Sequence, residues 1–475
     1  MNKAIDLDII IILSLPLILG ICLYFLPDKS WFYCISVILS ILFYELFIFP
    51  NRQVYGFSGL NIITIPSLII LSYTIIIALP SIYVCYEKNT PAVYPYFFSV
   101  IGFYFLFPLG LLLGNKIWKI DIEKVKIIRF SELRKDKIDP IAGELLYFIL
   151  LVGLSIYALY LARVKTIPII ELISDPGSSA KFALLREEAF KILKITTVEK
   201  YLILWQRALI FPGGILLSLF LYLIYKKRKY LILLIVFFIT GLTFNSLTLE
   251  KAPMGAIFLI IMSFFYIKKN KVSLKFVIIS IFLFFALPIT IIYLMYVAEH
   301  KEIAAYIIKF LIKRIFIVPT EVLYYHFEIF PGRVDFLLGR SSQLFSWMYS
   351  DGGIFLPTRV AQYIYRSPQT LVYSNAIFLG NFWADFGAPG IILSTFGIGL
   401  IVHWIYWKLL TTVNYKKNII FMLFSSISVP IFSFQFLSTN FTILFFSNGF
   451  VVLIIFLLVI SRYVNPMLNG NRNKT

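Results

Sequence analysis

Two carboxylates and a scatter of arginines carry the chemistry available to a chain that is otherwise mostly apolar. Glu321 follows Arg314 by seven residues, so a helix running through Pro319 would put both on one face, about two turns apart. A carboxylate held in that way suits removal of a proton from a hydroxyl. Its plainer reading is an ion pair with a nearby arginine. Asp385 is the rival base and His326 a weaker one. Arg186, Arg314 and Arg340 are the candidates for phosphate contact, because a guanidinium binds phosphate bidentately and keeps its charge. Arg207 lies within an apolar run, where a charge points to function unless it snorkels to the surface. Lys251, in the break Glu250-Lys251-Ala252-Pro253, could reach a phosphate or merely mark a charged hairpin tip. Tyr325, with Tyr324, Trp347 and Trp383, offers rings that stack on sugars or anchor at a membrane boundary. Taken together the residue types suit attack by a hydroxyl on a carbon whose leaving group is a phosphate or pyrophosphate on a lipid. Positioned cations stabilise the charge such a group gains as its bond breaks. The alternative for each arginine is a lipid headgroup or a pairing with Glu321, Glu328, Asp335 or Asp351.

The elements that must hold these residues are membrane helices. The chain has 475 residues, 60% of them hydrophobic, against about 45–50% in a soluble domain. Apolar runs of about 20 residues recur near 7–26, 31–49, 66–84, 97–113, 143–162, 201–224, 230–245, 253–267, 274–296, 388–407, 419–436 and 441–460. They predict an all-α polytopic membrane protein of about twelve spans, in one membrane domain over 1–475. The two-residue alternation of an outer-membrane barrel is absent.

Short basic loops set the orientation. Lys116 to Lys137, Lys226 to Lys229, Lys268 to Lys271 and Lys408 to Lys417 all fall on one side of this count, which is then the cytoplasm and holds both termini. The net charge of +19 is explained by topology first, so nucleic acid is not expected as a partner. Two long loops, 163–200 and 297–387, face outward. The first predicts a helix with Phe182, Leu185, Ala189 and Leu193 on one face. The second opens with Ile303, Tyr306, Ile307, Phe310 and Leu311, the spacing of a helix lying in the interface. Gly387 and Gly390 are spaced to let a neighbouring helix pack closely at the start of a span. Three cysteines give no disulfide framework, and three scattered histidines give no metal-ligand spacing, so no metal or other cofactor is expected.

The run Arg314 … Pro319-Thr320-Glu321 … Tyr324-Tyr325, with the later Asn375 … Phe382-Trp383-Ala384-Asp385-Phe386-Gly387-Ala388-Pro389-Gly390, resembles the oligosaccharide repeat unit polymerases, the Wzy-type O-antigen and capsule polymerases. The Glu250 to Pro253 hairpin, the two outer loops and the span count fit the same layout, whereas that family's Arg-x10-Gly motif is absent. The resemblance implies a fold similar to the O-antigen ligase and cell-wall polymerases (GT-C-like). It also implies a location in the bacterial cytoplasmic membrane. There a growing glycan would leave undecaprenyl pyrophosphate and join the next lipid-linked repeat unit, without nucleotide sugar or metal. A chain-length regulator and a flippase are the implied partners. Two other readings stay open: an O-antigen ligase or related lipid-dependent glycosyltransferase, and a non-enzymatic lipid-linked oligosaccharide flippase. A flippase would be expected to show two related halves and short loops.

Overall fold

The computed structural model describes residues 31–48, 51–55, 65–119, 139–175, 196–247, 251–269, 274–296, 303–342, 353–366 and 374–412, with a few positions between and after them. Among the described residues there are helices and no strands. We number them α1 (Trp31–Ile48), α2 (Ile65–Glu87), α3 (Val93–Trp118), α4 (Asp139–Arg163), α5 (Val198–Tyr225), α6 (Arg228–Ser246), α7 (Lys251–Lys269), α8 (Leu274–Tyr296), α9 (Ile303–Ile312), α10 (Val318–Ile329), α11 (Leu356–Tyr365) and α12 (Phe378–Thr412). Seven are long and apolar enough to cross a membrane: α1 to α3, the Gly143–Arg163 part of α4, α5, α6 and the Phe378–Trp407 part of α12. The chain is a polytopic helical membrane protein. Phe47, Phe98, Leu151 and Leu393 stand more than half exposed on these helices, as lipid-facing side chains do. The expected span 7–26 lies wholly outside the described residues, and 419–436 and 441–460 lie mostly outside them.

Prolines explain the departures from regular helix. Four π-turns, Tyr44–Ile48, Thr74–Ala78, Gln206–Ile210 and Lys313–Ile317, each end two residues before a proline: Pro50, Pro80, Pro212 and Pro319. Proline has no N–H for the carbonyl four residues back, and its ring crowds that carbonyl, so the preceding turn widens. The freed carbonyl then needs another donor. Pro80 frees the carbonyl of Ile76, and the Thr320 hydroxyl donates to it at 2.9 Å. Pro389 frees that of Asp385, and the Leu338 N–H donates to it at 3.0 Å. These two proline-freed carbonyls fasten Thr320 to α2 and Leu338 to α12.

The chain divides into two compact units, Met1–Val125 with Leu311–Thr411 and Ile431–Leu444, and Lys126–Phe310 with Thr412–Pro430 and Phe445–Thr475. In the first, α3 and α12 approach backbone to backbone where Gly110 meets Gly399: a Cβ on Gly110 would lie 2.1 Å from the Phe396 carbonyl oxygen. In the second, Leu172, Phe182, Met254, Ile291 and Met295 form a buried cluster, with Leu185 packed against it. The apolar face expected in loop 163–200 is therefore turned inward at Phe182 and Ala189, while Leu193 lies outside the described residues.

Candidate functional site

Helix α10 presents two faces. Val322, Leu323, His326 and Phe327 are buried, and Tyr96 of α3 meets the rings of both Tyr324 and Phe327 at 5.7 Å. Glu321, Tyr325 and Glu328 recur at four- and three-residue steps on the half-buried face. Opposite Glu321 stands Lys88, the residue that ends α2 by donating its N–H to the Val84 carbonyl. Its Nζ donates to Glu321 Oε1 at 3.1 Å and to the Tyr325 hydroxyl at 3.4 Å, and lies 5.2 Å from the Tyr325 ring centre. The Tyr325 hydroxyl is itself 3.5 Å from Glu321 Oε1. Both contacts fall on one carboxylate oxygen, Oε1, and about a fifth of the Glu321 side chain is exposed (22%).

Further along the face the arrangement repeats with other residues. Tyr363 of α11 donates to Glu328 Oε1 at 3.2 Å, and Arg333 pairs with the same oxygen at 3.8 Å while its guanidinium lies 4.7 Å over the Tyr363 ring. The Tyr325 and Tyr363 rings meet edge to face at 6.2 Å. Cation, carboxylate and tyrosine thus occur twice, with the tyrosines innermost. Burial works against the Lys88 ammonium, but the hydrogen bond and charge of Glu321 more than reverse it, so its pKa is raised. Burial and the Glu321 charge raise Tyr325, and burial pushes Tyr324 up to about 12, so both phenols are hydrogen-bond donors near neutral pH.

The structure brings Glu321 and Tyr325 together, but not with Arg314. Arg314 is exposed in the π-turn before α10, and one inserted residue turns the helix beyond it by about 100°. The shared face predicted for Arg314 and Glu321 is lost, and among the described residues Glu321 pairs with Lys88 instead. Arg340 lies with its guanidinium 4.8 Å over the Tyr349 ring. Arg207 does not snorkel: it sits in the π-turn of α5, 8% exposed, 5.9 Å over the Phe244 ring, and belongs to the second unit. Lys251 opens α7, also in the second unit. Arg186 and Trp347 lie outside the described residues.

Three expectations are corrected. Asp385 is 3% exposed, and its oxygens accept from the Ser341 N–H at 3.1 Å and the Ser341 hydroxyl at 2.6 Å. It anchors the turn at Ser341 and has no open face toward solvent. Asp385→Ala strands both Ser341 donors, at about 1–3 kcal/mol for a buried unsatisfied group. A lower unfolding midpoint in detergent is the expected result, with Asp385→Asn intermediate. Trp383 is a core side chain, its Nε1 donating to the Phe330 carbonyl at 2.8 Å and its ring stacked 4.4 Å from Phe327. Gly387 and Gly390 do not receive a neighbouring helix. Gly387 breaks α12 at φ 63°, with Phe336 over it, and Gly390 lies against the arm of α12 that precedes this break, where a Cβ would be 2.3 Å from the Phe382 oxygen.

His326 is also set aside as a base. It is 2% exposed, its Nδ1–H reaches the Val322 carbonyl at 2.8 Å, and burial lowers its pKa from 6.5 to about 4. A histidine with a depressed folded pKa binds fewer protons than the unfolded chain between those two values, so stability falls as pH drops from 6.5 toward 4. Unfolding midpoints against pH should show this acid loss in the wild type and a weaker one in His326→Leu.

Lys88 and Tyr363 escaped the sequence reading, whereas the Arg333–Glu328 pair is of the kind offered there as the alternative for the arginines. One signal was available for Lys88: the span count puts it in a short outer loop, where positive charge is disfavoured. Among the described residues no group of three or more His, Cys, Asp or Glu is placed to share a metal ion. Compared with protein-family models, curated proteins and solved structures, the chain matches none of them.

Proposed function

We propose that this protein is a glycosyltransferase that polymerises undecaprenyl-pyrophosphate-linked oligosaccharide repeat units into a surface polysaccharide, O-antigen or capsule. It works at the outer face of a bacterial cytoplasmic membrane, with about twelve spans of the GT-C-like kind and both termini in the cytoplasm. The observation that supports this reading best is the partly buried Lys88–Glu321–Tyr325 group next to Tyr363–Glu328–Arg333, at the end of apolar helices. A lipid-anchored glycan needs a bilayer for its tail, cations for its pyrophosphate, and a base with phenolic donors for its sugars.

In this mechanism a hydroxyl of the acceptor sugar attacks the anomeric carbon of the donor, and the bond from that carbon to the pyrophosphate oxygen breaks. Glu321 Oε2 takes the hydroxyl proton. Lys88 fixes the carboxylate through Oε1, Tyr325 and Tyr363 position sugar hydroxyls, and Arg333 stabilises the departing lipid pyrophosphate. Complementation of a deletion strain tests the reading. The deletion should reduce the surface glycan ladder to single repeat units, and the wild-type gene should restore it. A deletion that keeps ladder length but removes all surface glycan would favour a ligase or a flippase.

A further inference from the structure

An exposed leucine in a left-handed conformation marks the turn where the large outer loop meets α12. Leu338 has φ 53° and is 67% exposed, a backbone state that a leucine rarely adopts. It is held there from both sides: its N–H donates to the Asp385 carbonyl at 3.0 Å, and its carbonyl accepts from the Tyr349 hydroxyl. Asparagine or glycine would fit the turn with less strain, so the apolar side chain calls for a reason outside the fold. Nearby surfaces are apolar as well. Met348, beside Tyr349, is 59% exposed, and Phe355 is 42% exposed, next to Ile354, whose N–H bonds the Arg340 carbonyl.

Two features say what covers this tip. Phe386 follows the residue that binds Leu338 and is 40% exposed; Ile392 and Leu393, on the same candidate span, are 51% and 72% exposed. The chain folds back at the Gly387 break, so that a Cβ on Gly390 would lie 2.9 Å from that of Phe386; Ile392 and Leu393 follow two and three residues later, so the apolar tip adjoins the lipid-facing surface of the span. Arg340 lies two residues on, over Tyr349, the cation and aromatic pairing found at headgroup level.

We propose that Leu338, Met348 and Phe355 dip into the outer leaflet as a membrane anchor for the large loop, with Arg340 and Tyr349 at the phospholipid headgroups. This anchor does not depend on the polymerase reading. It would hold the loop carrying α10 and α11 at a fixed depth, and it gives Arg340 a lipid phosphate rather than a substrate phosphate.

The test is a nitroxide on Leu338→Cys in the full chain, reconstituted in phosphatidylethanolamine and phosphatidylglycerol vesicles, with Asp335→Cys as the exposed polar control and the unsubstituted chain as background. Oxygen, which concentrates in lipid, should relax the Leu338 label more than a water-soluble nickel chelate does, and the order should reverse at Asp335. A Leu338 label as open to nickel as the control overturns the anchor. One shielded from both reagents also overturns it and points to cover by protein. Leu338→Asn keeps the turn, because asparagine tolerates positive φ. It should leave detergent stability equal or higher but raise protease cleavage of the loop several-fold in the same vesicles. Unchanged cleavage in vesicles would also overturn the proposal.

Discussion

Glu321→Gln is expected to abolish chain growth while leaving folded protein in the membrane. The amide is isosteric and still accepts from Lys88 Nζ, now 3.1 Å from Oε1, so the packing of α10 survives. What it loses is the capacity to take a proton. Removing a general base typically costs about 10²–10⁴-fold in rate. On a gel the wild-type ladder should collapse to the single repeat unit. Lys88→Met should cut polymer yield as well, since removing one positioned donor or cation at a reacting centre costs about 10²-fold or more. A merely structural ion pair predicts something else. Exposed pairs contribute about 0–1 kcal/mol, so both variants would then keep full ladders and near-normal unfolding midpoints.

Gly110→Ala is expected to produce the largest loss of stability. The added Cβ would lie 2.1 Å from the Phe396 oxygen and 2.9 Å from the Gly399 Cα. Both are backbone atoms, so no rotamer change relieves the clash, and α3 must part from α12. Overpacking costs about 1–3 kcal/mol in forgiving sites, and this site is less forgiving. Thermal unfolding in detergent should show the drop, with Gly110→Val worse. Gly213→Ala is the control: nothing lies within 4 Å of its Cβ, and alanine is favoured over glycine in a helix by about 0.5–1 kcal/mol.

The apolar runs made the seven spans among the described residues legible because lipid imposes length and composition on a helix. The run beginning at 388 even coincides with the break at Gly387 in α12. What sequence reading could not supply was phase and distance. The π-turn before Pro319 rotates Glu321 away from Arg314, and counting residues in an ideal helix does not see it. Its signal, a proline inside a helical run, was there to read at Pro50, Pro80 and Pro212 too. Lys88 lies 233 residues from Glu321, so only the fold joins them. The surroundings of Asp385 were hidden for a related reason. Its type and its place near a span suggested chemistry, but solvent access and the Ser341 partner are properties of the fold.

The most direct test is the reaction itself. Purified protein in nanodiscs would be given undecaprenyl-pyrophosphate-linked repeat units from the host strain, with chelator and no nucleotide sugar. Glycan length and free undecaprenyl pyrophosphate would be followed together. Glycans that lengthen with one lipid pyrophosphate released per new linkage, and that stay at one unit with Glu321→Gln, are the predicted result. No elongation by the wild type would contradict the polymerase reading, and elongation undiminished in Glu321→Gln would contradict the site.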